Sequence, residues 1–175
     1  RNLITKEPVV KADDLKGMKI RVQTSPVALD TLKAMGANAV AMGTSEVFSG
    51  MQTGVIDGTE NNPPTFVAHN YLPVAKNYTW SKHFIIPELF LFSKSKWDKL
   101  KKEDQQLILR LAKEAQTEQR ELWQAYNEKS LDTMKANGVQ FHNIDTAYFY
   151  TATQPVRDKY GKDHQELIQK IQDVK

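Results

Sequence analysis

The sequence predicts an α/β fold, a layered sheet with helices on both faces followed by one long helix towards the C-terminus. Three observations carry that expectation. Short β-rich runs alternate with amphipathic stretches between Lys19 and Ile56, the order that builds layered α/β domains. A later run, Phe84 to Ser93, is apolar on both faces, as a central buried strand is. From Glu103 to Asn137 apolar residues recur at helical spacing.

The elements follow in order. Lys19-Ile20-Arg21-Val22 reads as a strand entering the core. Pro26 suits a helix start, and Val27, Leu29, Leu32 and Met35 suggest a helix ended by Gly36. Asn38 to Met42 reads as a second strand. Ser45 is a plausible N-cap for a helix through Gln52 closed by Gly54. Val55 and Ile56 form a brief strand before an Asp57-Gly58 turn. Asn61-Asn62-Pro63-Pro64 reads as a loop leading to a short helix through His69. Ala75 to Trp80 and Phe84 to Ser93 are expected to be strands.

In the long helix, Leu107, Leu111, Leu122 and Tyr126 are expected to face protein. Glu103 and Asp104 suit the positive end of its dipole, and Lys101 takes the N-cap. Gly138 ends it. Val139 to His142 is a last strand, and Asp145–Tyr160 and Asp163–Val174 are terminal helices. No internal repeat or linker divides residues 1–175, which read as a single α/β domain.

Composition narrows the function. Of 175 residues, 40% are apolar and 26% charged, which is enough for a packed core. Lys and Arg exceed Asp and Glu only by 24 to 21, too mild a balance to indicate nucleic acid or a membrane surface. There is no cysteine, which excludes disulfides and thiolate chemistry. His69, His83, His142 and His164 have no helix-face metal spacing, and neither a nucleophile elbow nor a phosphate-binding glycine fingerprint occurs. No cofactor is therefore expected. The chain starts Arg1-Asn2-Leu3 without an initiator Met and reads as a fragment, so the lack of a visible signal peptide says nothing. The basic cluster Lys94, Lys96, Lys99, Lys101 and Lys102 reads as a solvated helix start, because acidic residues follow at once.

Three motifs occur in order. The first is Asp13-Asp14-Leu15-Lys16-Gly17-Met18-Lys19-Ile20-Arg21-Val22. The second is Ser45-Glu46-Val47-Phe48 running into Met51-Gln52-Thr53-Gly54-Val55-Ile56-Asp57-Gly58-Thr59-Glu60-Asn61-Asn62. The third is His83, four residues before Pro87-Glu88, with Ser93 and Trp97-Asp98-Lys99-Leu100 beyond. As an ordered set they resemble the solute-binding proteins of TRAP (tripartite ATP-independent periplasmic) transporters. The resemblance implies a periplasmic-binding-protein-like lobe, namely the C-terminal part of a two-lobed protein whose N-terminal lobe is missing. It further implies periplasmic capture of a small carboxylate, a C4-dicarboxylate or a sugar acid, and its delivery to TRAP membrane subunits driven by a sodium gradient, without enzymatic turnover.

The resemblance also assigns residues. Arg21 matches the arginine that pairs with the ligand carboxylate, a role its planar, permanently charged fork suits. Asn61 matches the asparagine after the Asp-Gly turn, and its amide can both donate and accept. Asn62 is a weaker companion. Arg1 falls where a second cleft arginine is frequent, with Glu60 and His83 at positions able to support it. Thr44 stands where many relatives place an aromatic residue against the ligand, which leaves ligand identity open; Glu-Asn-Asn-Pro-Pro leans towards a hydroxylated acid. Thr24 and Glu88 are further candidates for the cleft. Two other readings compete with this one. The first is a solute-binding or sensing domain of another system. The second is an enzyme using Glu60 and His83 as an acid–base pair on a carboxylate.

Overall fold

The strands are β1 (Asn2–Thr5), β2 (Lys19–Val22), β3 (Asn38–Ala41), β4 (Gly58–Asn61), β5 (Asn77–Trp80) and β6 (Gln140–Asn143). In the computed structural model, which describes residues 1–174, they join in one sheet of order β3-β2-β4-β1-β5-β6. β2 runs parallel to β3 and β4, and β5 parallel to β6. β1 is antiparallel to both β4 and β5, so it alone runs against the rest. The sequence reading missed β1. Its four residues are all buried, and a run so short has no periodicity to distinguish it.

The helices are α1 (Pro26–Ala34), α2 (Val47–Thr53), α3 (Pro63–Ala68), α4 (Lys94–Trp97), α5 (Lys102–Ala136), α6 (Thr146–Ala152), α7 (Gln154–Gly161) and α8 (Gln165–Gln172). They cover both faces of the sheet. One face buries Ile4, Tyr78, Met51, Ile56, Phe66 and Met134; the other buries Leu3, Ile20, Val22, Leu32 and Phe149. Neighbours Leu3 and Ile4 enter opposite cores, as successive residues of a strand must. The layered α/β expectation is met, with the long helix in place.

Several expected elements differ. Ser45 is not a helix N-cap: it sits inside a single 3-10 turn, Thr44–Glu46, where Glu46 Oε2 accepts from the Gly43 N–H at 3.2 Å. The strand expected at Val55-Ile56 begins at Gly58 instead. Ile56 is drawn into the core, and Asp57 accepts the Lys19 N–H on its carboxylate at 2.8 Å, tying the approach to β4 against the start of β2. Gly58 is a strand residue, not a turn: a Cβ there would lie 2.5 Å from the Ile4 carbonyl oxygen. Asn61 closes β4, and only Asn62 caps α3, whose first turn holds Pro63 and Pro64.

The Phe84–Ser93 strand does not form. The preceding strand, β5, already pairs with β1 and β6, so no ladder is open beside it. The segment runs over the surface with Ile85 97% exposed and Leu89, Phe90 and Leu91 bare. The long helix is continuous, but Leu107, Leu111, Leu122 and Tyr126 are exposed, contrary to expectation; its buried residues, Ser130 and Met134, lie at the C-terminal end near α3. Among the described residues most of its apolar stripe meets no other helix or strand, and only the Glu88–Phe92 stretch borders it, beside Ile108, Leu111, Ala112 and Ala115. Gly138, at φ 76°, ends it in the left-handed region that glycine tolerates. The expected Asp145–Tyr160 helix breaks at Thr153, whose hydroxyl bonds back to the Phe149 carbonyl at 2.7 Å, and Pro155 starts α7. Lys162–His164 is a 3-10 turn before α8.

Candidate functional site

Because β1 alone is reversed, β2, β3, β4, β5 and β6 all finish at the sheet edge where β1 begins. Carboxyl ends of strands are where open α/β sheets bind ligands. All seven expected site residues lie along that edge. Arg21 is the penultimate residue of β2, Thr44 follows β3, Asn61 ends β4 with Glu60 before it and Asn62 after, Arg1 precedes β1 and His83 follows β5.

Strand alternation divides them between the two faces. Arg21 pairs in register with Thr59, and Thr59 with Ile4, so Arg21 and Asn61 share the α3 face. Glu60 pairs with Leu3 and faces the other core.

On the α3 face Arg21 is only 3% exposed. Its Nε donates to the Met42 carbonyl at 2.8 Å and its Nη2 to Thr44 Oγ1 at 3.3 Å. Tyr71 OH donates to the Thr44 carbonyl at 3.4 Å, steadying that turn. No ion pair among the described residues engages Arg21. Burial lowers its pKa from the ordinary value, opposed by Tyr71 and Glu60. A guanidinium so placed is oriented by neutral acceptors, while its charge remains uncompensated by a carboxylate. Asn61 Oδ1 accepts the Asn62 N–H at 2.9 Å. Asn62 is used structurally: its Oδ1 accepts from the Thr65 N–H at 3.2 Å and Thr65 Oγ1 at 2.8 Å, the N-cap of α3.

On the other face Arg1, Glu60 and His83 form one cluster. Arg1 donates Nε to Glu60 Oε2 at 2.6 Å and Nη2 to Oε1 at 2.9 Å, a bidentate pair. His83 Nε2 lies 3.4 Å from Glu60 Oε2, close enough to attract but without an aligned hydrogen bond, and its Nδ1 is 2.8 Å from Ser81 Oγ. Burial pushes Glu60 up, but His83 and Arg1 outweigh it and hold the carboxyl below its usual range. Burial pushes His83 down, with Glu60 opposing. The cluster orients Arg1. The side chains of Glu60 and His83 are each 1% exposed, too enclosed to meet a substrate.

Thr24 lies in the exposed loop after β2. Glu88 is not brought to this edge but borders a groove against Ala112 and Ala115 of α5. The sequence reading missed Met42, whose carbonyl carries no side-chain signature, as well as Tyr71 and Ser81; the Ser-x-His spacing to His83 was the one available cue. No group of His, Asp or Glu among the described residues is arranged to hold a metal.

Residues 1–163 match bacterial extracellular solute-binding protein, family 7. A solute-binding protein of Chromohalobacter salexigens is 35% identical over 175 residues, 97% of this chain and 51% of that protein. A solved TRAP periplasmic solute-binding protein from Citrobacter koseri with bound D-glucuronate is 72% identical with a TM-score of 0.93, covering 99% of this chain and 58% of that one. One from Pseudomonas putida, also with bound D-glucuronate, is 49% identical with a TM-score of 0.95, covering 99% and 57%. The chain thus spans about half the length of the relatives it matches.

Proposed function

The chain belongs to the bacterial extracellular solute-binding proteins of family 7, and on that premise we propose that the protein containing it captures a sugar acid of the hexuronate class. The observation that carries this reading is Arg21: a buried, oriented guanidinium at the carboxyl edge of the sheet with no carboxylate of its own. The sugar carboxylate takes that place, the Asn61 amide meets a ring hydroxyl, and Arg1, held by Glu60, offers a second donor set. Thr44, small and already bonded to Arg21, leaves room for a pyranose ring. The bound D-glucuronate of the Citrobacter koseri and Pseudomonas putida proteins supports a hexuronate over a C4-dicarboxylate.

These residues form one wall. The opposite wall belongs to a second, N-terminal lobe in the remaining half of the protein, and the two close on the ligand, excluding water. Delivery to TRAP membrane subunits from the periplasm completes the role. No helix among the described residues is long and apolar enough to cross a membrane. Family and solved neighbours are solute-binding proteins, which removes the enzyme reading.

Calorimetry of the full-length protein with D-glucuronate, D-galacturonate and succinate tests the proposal. Tight binding of either hexuronate and weak binding of succinate is expected. Tight succinate binding with no response to both hexuronates would overturn it.

A further inference from the structure

On the α6–α7 side of the sheet, away from Arg21, a pocket of ≈ 190 Å³ opens beside His83. We propose that it binds a small oxyanion, a carboxylate or phosphate group, independently of the sugar-acid site. Lys82 and Arg157 both border it, and no Asp or Glu does. Neither cation forms an ion pair among the described residues.

Arg157 is preorganised by neutral partners. Its Nη1 donates to Thr153 Oγ1 at 2.7 Å and its Nη2 to both the Tyr150 carbonyl at 2.6 Å and Gln154 Oε1 at 2.5 Å, while the guanidinium carbon lies 3.9 Å from the Tyr150 ring centroid. None of these neutralises the charge; with both Nη2 hydrogens engaged, the Nε and remaining Nη1 hydrogens are left as single donors, so an anion gains an oriented, uncompensated cation. Lys82 sits in the left-handed region at φ 47°, uncommon for a residue with a side chain. Its backbone N–H is fastened to Asn2 Oδ1 at 2.9 Å, and its ammonium makes no hydrogen bond to a described residue. Thr146 also lines the wall. Cavities of about 150 Å³ accept a benzene-sized guest, so the volume suits an oxyanion with a water or two. The pocket shares His83, Tyr150, Thr153 and Arg157 with a wider cleft of ≈ 550 Å³ reaching α1 and α8, whose lining carries one carboxylate, Asp158.

The test titrates the full-length protein with inorganic phosphate and with acetate by calorimetry, alone and with saturating D-glucuronate. At least one anion is expected to bind at millimolar concentration and to remain bound beside the sugar acid; the stronger of the two identifies the oxyanion. Lys82→Gln and Arg157→Gln should each weaken that binding about tenfold, the loss of one charge-assisted hydrogen bond, while Arg21→Ala leaves it unchanged. Lys82→Gln is the cleaner variant, because Arg157 also braces the α6–α7 junction. Binding that D-glucuronate displaces, that Arg21→Ala abolishes, or that Lys82→Gln does not alter overturns the proposal. So does the absence of binding by both anions up to tens of millimolar.

Discussion

Arg1 and Glu60 meet fork to fork across the β1–β4 pair, with Nε–Oε2 at 2.6 Å and Nη2–Oε1 at 2.9 Å, and the Arg1 Nη2 also reaches the Glu60 carbonyl at 3.2 Å. Removing one partner of such a pair leaves the other charge buried and unanswered. Glu60→Ala is expected to destabilise the fold by about 3–5 kcal/mol, read as a fall in the urea midpoint. Glu60→Gln, which keeps one acceptor for Arg1, should cost less. If Glu60→Ala melts like the parent, the pair is not a structural support for Arg1.

The same cluster sets an acid dependence. The His83 pKa is lowered on folding, so below the unfolded histidine value of about 6.5 the unfolded chain binds the proton more readily and stability falls. The Glu60 pKa is also lowered, so its contribution is present above the ordinary glutamate value and is lost as pH drops through its folded pKa. Stability should therefore decline from near pH 6.5 downwards and more steeply below about pH 4.5. His83→Gln should flatten the upper part of that decline in a series of thermal melts. An unchanged slope between pH 5 and 6.5 would show that His83 does not titrate in this way.

Arg21→Ala in the full-length protein should weaken hexuronate binding at least about tenfold, since a charge-assisted hydrogen bond contributes roughly 1.5–3 kcal/mol and the proposed pair with the sugar carboxylate is bidentate. Arg21→Lys should recover part of the loss, because charge persists without the planar fork. Arg21→Ala also forfeits the bond to the Met42 carbonyl, costing about 1–2 kcal/mol of unliganded stability. Titration alongside melting separates the two effects; full affinity in Arg21→Ala would refute the assignment.

The exposed stripe of α5 predicts a contrast between the chain and the whole protein. In the 175-residue chain Leu111→Gln should change stability by no more than about 0.5 kcal/mol, the range of surface substitutions. Met134→Ala, at a fully buried position of the same helix, should cost about 2–5 kcal/mol. In the full-length protein Leu111→Gln should become costly, by about 1.5–3 kcal/mol, if the remaining half covers that stripe. Equal, small effects of Leu111→Gln in both would mean the stripe stays bare.

Local chemistry was readable in the sequence. Pro26 and Gly54 bracket their helices where propensity puts them, the stripe along α5 drew a continuous helix, and β2, β3, β5 and β6 appeared from β-rich runs. The ordered motifs placed Arg21, Asn61, Glu60 and His83 at sites the fold gathers to one edge. Three things were decided by tertiary structure alone. β1 exists because β4 and β5 offer it ladders on both sides, and no pattern within four residues could announce that. Phe84–Ser93 is as apolar as any strand but finds no open ladder beside β5, so it stays on the surface. The division of the candidate residues, with Arg21 on one face and Arg1, Glu60 and His83 on the other, depends on strand register, because a shift of one residue exchanges the faces. A sequence fixes which residues favour a strand or a helix. Which neighbours they meet is a property of long-range pairing, and that is what buries Arg21 at the sheet edge with only neutral acceptors around it.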